Sequence, residues 1–254
     1  MADQYTKRQH YVPQWLINRF SDDKGMVWCI DKNDMHQFHT TSDNILLAKD
    51  YYEIDELPPN QIENGLAKIE GAAASIFTKF DTGVTPDQLT HEEKLDLSIF
   101  LASLMLRTPV TETAFSMGLS NEDKTAMSED FKKMQIVGMI NEQFAFDFYC
   151  MDVYIIDLPS PSQIILSDCP LLRMSLSGDR RRADYLSISS TETILILPIG
   201  PNRILAMYQR GASPNLPWNQ KLIDNVINMI TYEMNRLSQR FLIGNQKFKT
   251  IQLS

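Results

Sequence analysis

The order of apolar and polar residues divides the chain into three regions of different character. Between about residues 58 and 150 the apolar positions recur with a helical period. From residue 151 onward they form short β-branched runs separated by Pro, Ser and Gly, whereas the first 57 residues combine a short helix with strand-like runs. This pattern predicts an α+β fold in which a helical middle region packs with a mainly antiparallel C-terminal sheet.

Helices are predicted most clearly in the middle region. The first, over residues 62–80, carries its apolar residues on one face: Ile62, Leu66, Ile69, Ala73, Ile76 and Phe80. The second, over residues 90–107, opens with a capping box of Thr90 and Glu93 and becomes apolar nearly all round, which predicts burial on most sides. A third helical region is expected from about residue 120 to residue 148.

Strands are predicted on both sides of these helices. Before them, residues 9–20 contain a helix in which Pro13 occupies the first turn, residues 26–30 and 35–41 form a hairpin, and residues 47–52 return. After them come the predicted strands 152–158, 163–167, 193–197, 203–208 and 240–243, a polar insertion at 175–190 and an amphipathic helix at 219–237. Since no linker or repeat is found, we expect a single domain (1–254) composed of regions 1–57, 58–150 and 151–254.

Composition narrows the class of protein. Hydrophobic residues make up 43% of the chain, which is enough for a continuous core, and no apolar run is long enough to span a bilayer. The net charge of −8 disfavours extended, non-specific binding to nucleic acid. The three cysteines are widely spaced and the N-terminus lacks the apolar stretch of a signal peptide, so we expect a cytoplasmic protein with free thiols.

The first candidate site is the segment His10-Tyr11-Val12-Pro13-Gln14. A histidine just before a helix that begins with proline can act as a general acid or base, and the start of the helix can bind an anion. Gln14 and Arg19 on the same segment are the candidate substrate-binding residues. The alternative is that His10 caps the helix or packs on Trp15.

The second candidate is Asp168, in Ser167-Asp168-Cys169-Pro170 at the end of a predicted strand. A carboxylate at this point can be catalytic, bind a metal or orient a histidine. Alternatively, Asp168 forms an Asx-type turn that ends the strand. Cys169 would need a partner that stabilises its thiolate before it could act as a nucleophile.

The third candidate is Arg107, which follows the buried helix. Its guanidinium can clamp a phosphate or a carboxylate, or can interact favourably with the helix dipole. Glu63 and Glu70 lie seven residues apart on one flank of the preceding helix. They can supply carboxylates to a neighbouring site, or they can be solvated charges of the helix surface.

Other residues bear on the chemistry less directly. His36 and His39 face opposite sides of a predicted strand, so we predict no metal site, and no cofactor is identified. The run Arg180-Arg181-Arg182 lies in a predicted loop that can contact nucleic acid or be solvated. The sequence contains no P-loop, dinucleotide-binding fingerprint, HExxH or GxSxG motif.

The pattern His-Tyr-Val-Pro-Gln-x-x-Leu-x-x-Phe, from His10 to Phe20, resembles the opening signature of a large, mainly bacterial family of unknown function. The resemblance continues through Gly25-Met26-Val27-Trp28, Lys49-Asp50-Tyr51-Tyr52, Arg107-Thr108-Pro109, Ser167-Asp168-Cys169-Pro170 and Leu197-Pro198-Ile199, and ends near residues 235–240. The chain departs from it at Cys169, where the family is expected to favour asparagine. The resemblance implies a family rather than a reaction, and it implies that His10, Arg107 and Asp168 converge.

These residues support hypotheses from different functional classes. In the first, the protein is a hydrolase acting on a phosphoester of nucleic acid or a nucleotide, for instance as an effector of a conflict or phage-defence system. His10 is then the general acid or base and Asp168 orients it or helps to hold a metal. Arg107 and Arg19 stabilise the phosphate charge.

The alternatives are not enzymes. In one, the protein is a ligand- or protein-binding regulatory module in which His10, Arg107 and Asp168 form a buried polar network. In another, it is an inhibitor or immunity partner that acts through an acidic surface near residues 50–56. The sequence identifies neither a partner nor an oligomeric state.

Overall fold

The computed structural model describes residues 7–53, 57–109, 111, 142–159, 163–176, 187–212 and 220–248. Within these ranges the helices are α1 (Gln14–Asn18), α2 (Gln61–Asp81), α3 (His91–Leu106), α4 (Glu142–Tyr149) and α5 (Gln220–Leu237). The strands are β1 (Arg8–His10), β2 (Val27–Asp31), β3 (His36–Thr40), β4 (Leu47–Lys49), β5 (Met151–Asp157), β6 (Leu166–Ser167), β7 (Leu172–Ser175), β8 (Thr193–Gly200), β9 (Arg203–Gln209) and β10 (Phe241–Gly244). The α+β class predicted from the sequence is confirmed.

The strands form two four-stranded antiparallel sheets and a two-stranded ribbon. One sheet has the order β3-β2-β10-β6, the other has the order β5-β9-β8-β7, and β1 pairs with β4. The predicted hairpin is present as β2 and β3, but β2 also pairs with β10, which is the last strand of the described chain. The N-terminal and C-terminal segments therefore contribute to the same sheet.

Several boundaries differ from the prediction. The segment 9–20 contains the predicted helix, which begins directly after Pro13, but its first residues belong to a strand, because Arg8–His10 pairs with Leu47–Lys49. Strand β7 was not predicted, since its four residues become a strand through pairing with β8. Of the expected helical region at 120–148, only Glu142–Tyr149 lies within the described residues, and the arginine run at 180–182 lies outside them.

The two faces of β8 belong to different parts of the core. Leu195, Leu197 and Ile199 pack with the side of the molecule that holds α1 to α4. Ile194 and Ile196 alternate with them and pack against α5 through Ile230 and Met234. Neighbouring side chains of a strand point to opposite faces. Strand β8 is therefore buried throughout, with α1 to α4 on the side of one face and α5 on the other.

Helix α3 confirms the sequence prediction most closely. Thr90 accepts a hydrogen bond from the backbone N–H of Glu93, and the Glu93 side chain accepts one from Thr90 N–H. The helix packs against α2 and α4 and buries Phe100, Leu101 and Leu104. It carries Arg107 at its C-terminal end. None of the helices in the described ranges is both long and apolar enough to cross a bilayer.

Replacing Thr90 by alanine is expected to lower the free energy of unfolding by about 1 kcal/mol, because the N–H of Glu93 loses its acceptor. Urea denaturation measures the change. Ser75→Ala is the control, since the Ser75 hydroxyl donates to a carbonyl within α2 and caps no helix end. Equal stability of the Thr90→Ala variant and the wild type would contradict the role of the cap.

Candidate functional site

Five side chains from four parts of the chain are linked by an ion pair or by electrostatic interactions near the C-terminal end of α3. We call them the Arg107 cluster: His10, Tyr52, Glu63, Glu70 and Arg107. His10 ends β1 and Tyr52 follows β4, so the short β1–β4 ribbon brings these two together, and the Tyr52 hydroxyl donates to the His10 carbonyl at 3.2 Å. Glu63 and Glu70 come from the first half of α2, where they flank its buried apolar stripe.

Arg107 is the most deeply buried member of the cluster. Its side chain is 0% exposed, and its Nη1 donates to Glu70 Oε1 at 2.6 Å. Its Nε and Nη2 are also buried, and neither has a hydrogen-bond partner within the part of the chain that the structure describes. These two nitrogens lie on one edge of the planar guanidinium and can donate two parallel hydrogen bonds to a carboxylate or a phosphate. A buried donor without an acceptor is costly, so this edge is a candidate ligand-binding group.

Glu63 is held in an environment that favours its protonated form. Burial, together with the neighbouring Glu70 and Glu53 carboxylates, raises the pKa of Glu63 to about 7 against the opposing effect of Arg107. A carboxyl with this pKa is partly protonated near neutral pH and can give or take a proton there. The fully buried Arg107, paired with Glu70, thus lies within electrostatic range of a carboxyl that is able to exchange a proton.

The pKa of His10 is shifted downward, whereas that of Glu63 is shifted upward. Burial lowers the pKa of His10 although the Ser42 carbonyl and Glu70 oppose the change, so the ring is neutral near pH 7. The Ser42 carbonyl can only accept, at 3.2 Å from Nε2, so we assign the ring proton to Nε2. Nδ1 then carries a lone pair that can accept a proton.

Hydrogen bonds of the Gln9 side chain connect the strand that carries His10 to the segment that carries Tyr52. The buried Gln9 side chain accepts from Tyr52 N–H at 2.7 Å and donates to Glu53 at 2.8 Å. Three residues of this part of the chain, Leu46, Asp50 and Asn60, have left-handed backbone conformations with φ of 55°, 52° and 60°. Such conformations cost free energy and persist where the surrounding structure enforces them, as in rigid binding sites.

Asp168 has a different set of contacts. It is 1% exposed, and its carboxylate accepts backbone N–H groups of Gln239 at 3.0 Å, Arg240 at 2.6 Å and Phe241 at 3.1 Å. Both of its oxygens are therefore occupied in holding the chain between α5 and β10. These contacts favour the structural interpretation of Asp168, and its catalytic role stays a prediction. Burial raises the pKa of Tyr11, and the nearby Asp168 carboxylate raises it further.

Within the described ranges, neither predicted substrate-binding residue forms a hydrogen bond or an ion pair with the Arg107 cluster. Arg19 forms a bidentate ion pair with Asp81, at 2.8 and 2.6 Å, and its Nε donates to the Ile199 carbonyl. Asp81 ends α2, and at 1.5 Å per residue it lies about 16 Å along the helix from Glu70. The expectation that Arg19 acts together with Arg107 is therefore not supported by the geometry. Gln14 is exposed at the first position of α1.

Glu63 and Glu70 are the members of the cluster that the sequence left undecided. Their spacing shows that they share a flank of α2, and each directly follows an apolar stripe residue, Ile62 or Ile69. Their position at the edge of a buried face is the sequence feature that could have identified them as site residues. What the sequence could not show is that Arg107 would lie against this edge.

Metal and thiol chemistry find little support in the described residues. No group of three or more His, Cys, Asp or Glu side chains in those ranges is arranged to hold a metal ion. Burial raises the pKa of Cys169 to about 12, so its thiol stays protonated near neutral pH.

The variant Glu63→Gln is expected to raise the free energy of unfolding at about pH 8 by about 1 to 2 kcal/mol, a value reduced to allow for partial exposure. The folded-state pKa of about 7 lies above the ordinary value of 4.5, so the folded chain binds more protons between them. The wild type therefore loses stability as the pH rises through this range, and the amide avoids that loss. Urea denaturation at several pH values measures the difference, which should shrink toward about pH 4.5. A difference that is independent of pH would contradict the prediction.

One comparison identifies the family of the chain. A family model described as "Protein of unknown function (DUF4238)" matches residues 8–248. No curated protein and no solved structure matches the chain. The matched range includes all residues of the Arg107 cluster and nearly the whole sequence. The chain therefore belongs to DUF4238, a family of proteins of unknown function.

Proposed function

We propose that the protein is a hydrolase that acts on a phosphoester of a nucleotide or a nucleic acid, with its site at the Arg107 cluster. The observation that carries the proposal is the buried Nε–Nη2 edge of Arg107, which has no hydrogen-bond acceptor among the described residues. The planar fork of arginine matches two phosphate oxygens, and such hydrogen bonds are strong where water is excluded. Arg107 is then the group that binds the phosphate.

Acid–base chemistry is supported by the opposite pKa shifts of His10 and Glu63. His10 has a lowered pKa and is a neutral base near pH 7, whereas Glu63 has a raised pKa and is partly protonated. Environments that move the pKa values of two groups in opposite senses are typical of sites in which one group accepts a proton and the other donates one. Glu70 lies within electrostatic range of both.

The proposed reaction is a simple hydrolysis. Water attacks phosphorus and forms the new P–O bond, while Nδ1 of His10 accepts a proton from this water. The P–O bond to the leaving alkoxide breaks, and the protonated Glu63 carboxyl donates its proton to that oxygen. Arg107 stabilises the charge that develops on the phosphoryl oxygens.

Access to Arg107 is part of the proposal. Arg107 is 0% exposed, whereas its hydrogen-bonded partner Glu70 is 23% exposed. We propose that the substrate enters past Glu70, which keeps its hydrogen bond to Nη1 while the phosphate takes Nε and Nη2. Substrate binding then requires a small displacement of side chains, as in many sites that close on their ligands.

A small nucleotide suits this site better than a long nucleic acid. The net charge of −8 repels a polyanion at long range, whereas a single phosphate needs only the local donors. The three free cysteines agree with a cytoplasmic location, which we propose together with a role in a conflict or defence system.

A second candidate function is a ligand-binding regulatory module without catalysis. It is favoured by the complete burial of Arg107 and by the occupation of both Asp168 oxygens by backbone N–H groups. In that case Arg107 binds an anion and no bond is broken.

Hydrolysis assays distinguish the two. The substrates are bis(p-nitrophenyl) phosphate, a cyclic nucleotide and a short single-stranded RNA, and the variants are Glu63→Gln and His10→Gln, the second of which keeps a donor for Ser42. We expect each variant to lose activity by about 100-fold or more. His36→Asn is the control, because His36 is exposed on β3. Full activity in both cluster variants would contradict the proposed site, and saturable phosphate binding without any turnover would support the regulatory module instead.

A further inference from the structure

A groove of about 610 Å³ lies at the opposite end of α3 from Arg107. It is formed by the first three turns of α3, the short 3-10 helix Pro86–Gln88, the end of α4 and the beginning of β5. Lys94, on its wall, precedes Arg107 by 13 residues of helix, or about 20 Å. The groove is thus separate from the Arg107 cluster, and its size is that of sites that bind small organic molecules.

The floor of the groove is apolar. Leu97 and Leu101 face it from α3, Phe148 from α4, and Val153 and Ile155 from β5. These residues belong to the large core or pack against it. An apolar ligand body lying there would be removed from water, which favours binding in proportion to the apolar area covered.

The charged groups of the wall differ in their partners. Asp152 lies 3.6 Å from Arg210, and the Asp87 carboxylate accepts a hydrogen bond from the Thr85 hydroxyl. The half-buried Lys94 lies within electrostatic range of Asp87, whose pKa it helps to lower, but within the described ranges it forms no ion pair at 4 Å or less and no side-chain hydrogen bond. A cation beside an apolar floor is complementary to a ligand that carries one acidic group on an apolar body.

We propose that this groove binds an organic carboxylate with an apolar body, whose carboxylate pairs with Lys94 and whose body covers Leu97, Leu101 and Val153. The hydrogen-bonded pair of Tyr149 hydroxyl and His91 Nδ1, 3.0 Å apart, lies at the rim and can donate to the second carboxylate oxygen. This site does not depend on the function proposed for the Arg107 cluster.

The test uses 1-naphthoate and its uncharged counterpart 1-naphthamide as probes of the folded, full-length chain. Backbone NMR shifts locate the binding and titration gives both affinities. We expect saturable shifts at the groove residues with both probes, and an affinity for the carboxylate about fivefold higher than for the amide. Lys94→Gln should remove this preference and Lys94→Arg should retain it. Lys68→Gln, a change on the exposed side of α2, should leave it unaltered.

Three results would overturn the assignment. They are the absence of shifts at groove residues with naphthoate at millimolar concentration, equal affinities for the acid and the amide in the wild type, and an unchanged preference in Lys94→Gln. Retained binding of the amide by Lys94→Gln shows that the variant is folded and that its apolar floor is intact.

Discussion

The variant Glu70→Ala is expected to lower the free energy of unfolding by about 3 to 5 kcal/mol. Glu70 is the hydrogen-bonded partner of Arg107, whose side chain is 0% exposed, so its removal leaves a buried cation without its counter-ion. The loss of helix propensity cannot explain such a change, because alanine is the best helix former. Urea denaturation near neutral pH measures it, and Glu92→Ala on the exposed first turn of α3 is the matched control.

A double variant separates the cost of the unpaired charge from the value of the pair. Glu70→Leu together with Arg107→Met removes both charges and keeps similar volumes, so most of the stability should return. A loss in Glu70→Ala below about 1 kcal/mol would mean that Arg107 finds another acceptor or reaches water. The same result would count against ligand binding at the Nε–Nη2 edge of Arg107.

The variant Asp168→Ala is expected to lower the free energy of unfolding by about 4 kcal/mol, or the melting temperature by about 10 °C. It leaves three backbone N–H groups, those of Gln239, Arg240 and Phe241, without their acceptor in a buried position. Asp168→Asn keeps one acceptor oxygen, so its loss should be about half as large. Asp34→Asn, at an exposed position between β2 and β3, is the control.

Asp168→Asn also decides between the two interpretations of this residue. If Asp168 holds the connection between α5 and β10, stability falls and the residual folded protein keeps its activity per molecule. If Asp168 is catalytic, the folded fraction of Asp168→Asn loses activity well beyond its loss of stability. Calorimetry and the phosphoester assay on the same samples give the two quantities.

The elements that the sequence predicted are those with a strong local signal. Helix α3 has a capping box and a long apolar run, and α2 has an uninterrupted apolar stripe, so their bounds were found to within a few residues. The hairpin of β2 and β3 also has a local signal, because its strands are close in sequence. Strands β1 and β7 are only three and four residues long and contain no β-branched residue, so they gave no local signal and could not be found in this way.

The candidate site was predicted only in part, for the same reason. His10 and Arg107 stood out because each lies at the end of an element, and both belong to the cluster. Asp168 met the same criterion, yet its position at the end of β6 serves to bind the backbone that precedes β10. Glu70 was assigned no firm role, since a carboxylate on a helix flank is usually solvated and only the packing of α2 against α3 reveals its buried partner.

The measurement that tests the central claim most directly follows the side-chain Nε–H resonance of Arg107 during a titration with inorganic phosphate. The resonance is assigned as the one that Arg107→Lys lacks. If the free edge of Arg107 binds phosphate, this resonance shifts progressively and saturates, because its N–H gains a charged acceptor. If it stays unchanged while resonances of exposed arginines move, the edge is closed to anions, and neither proposed function of the Arg107 cluster can be correct.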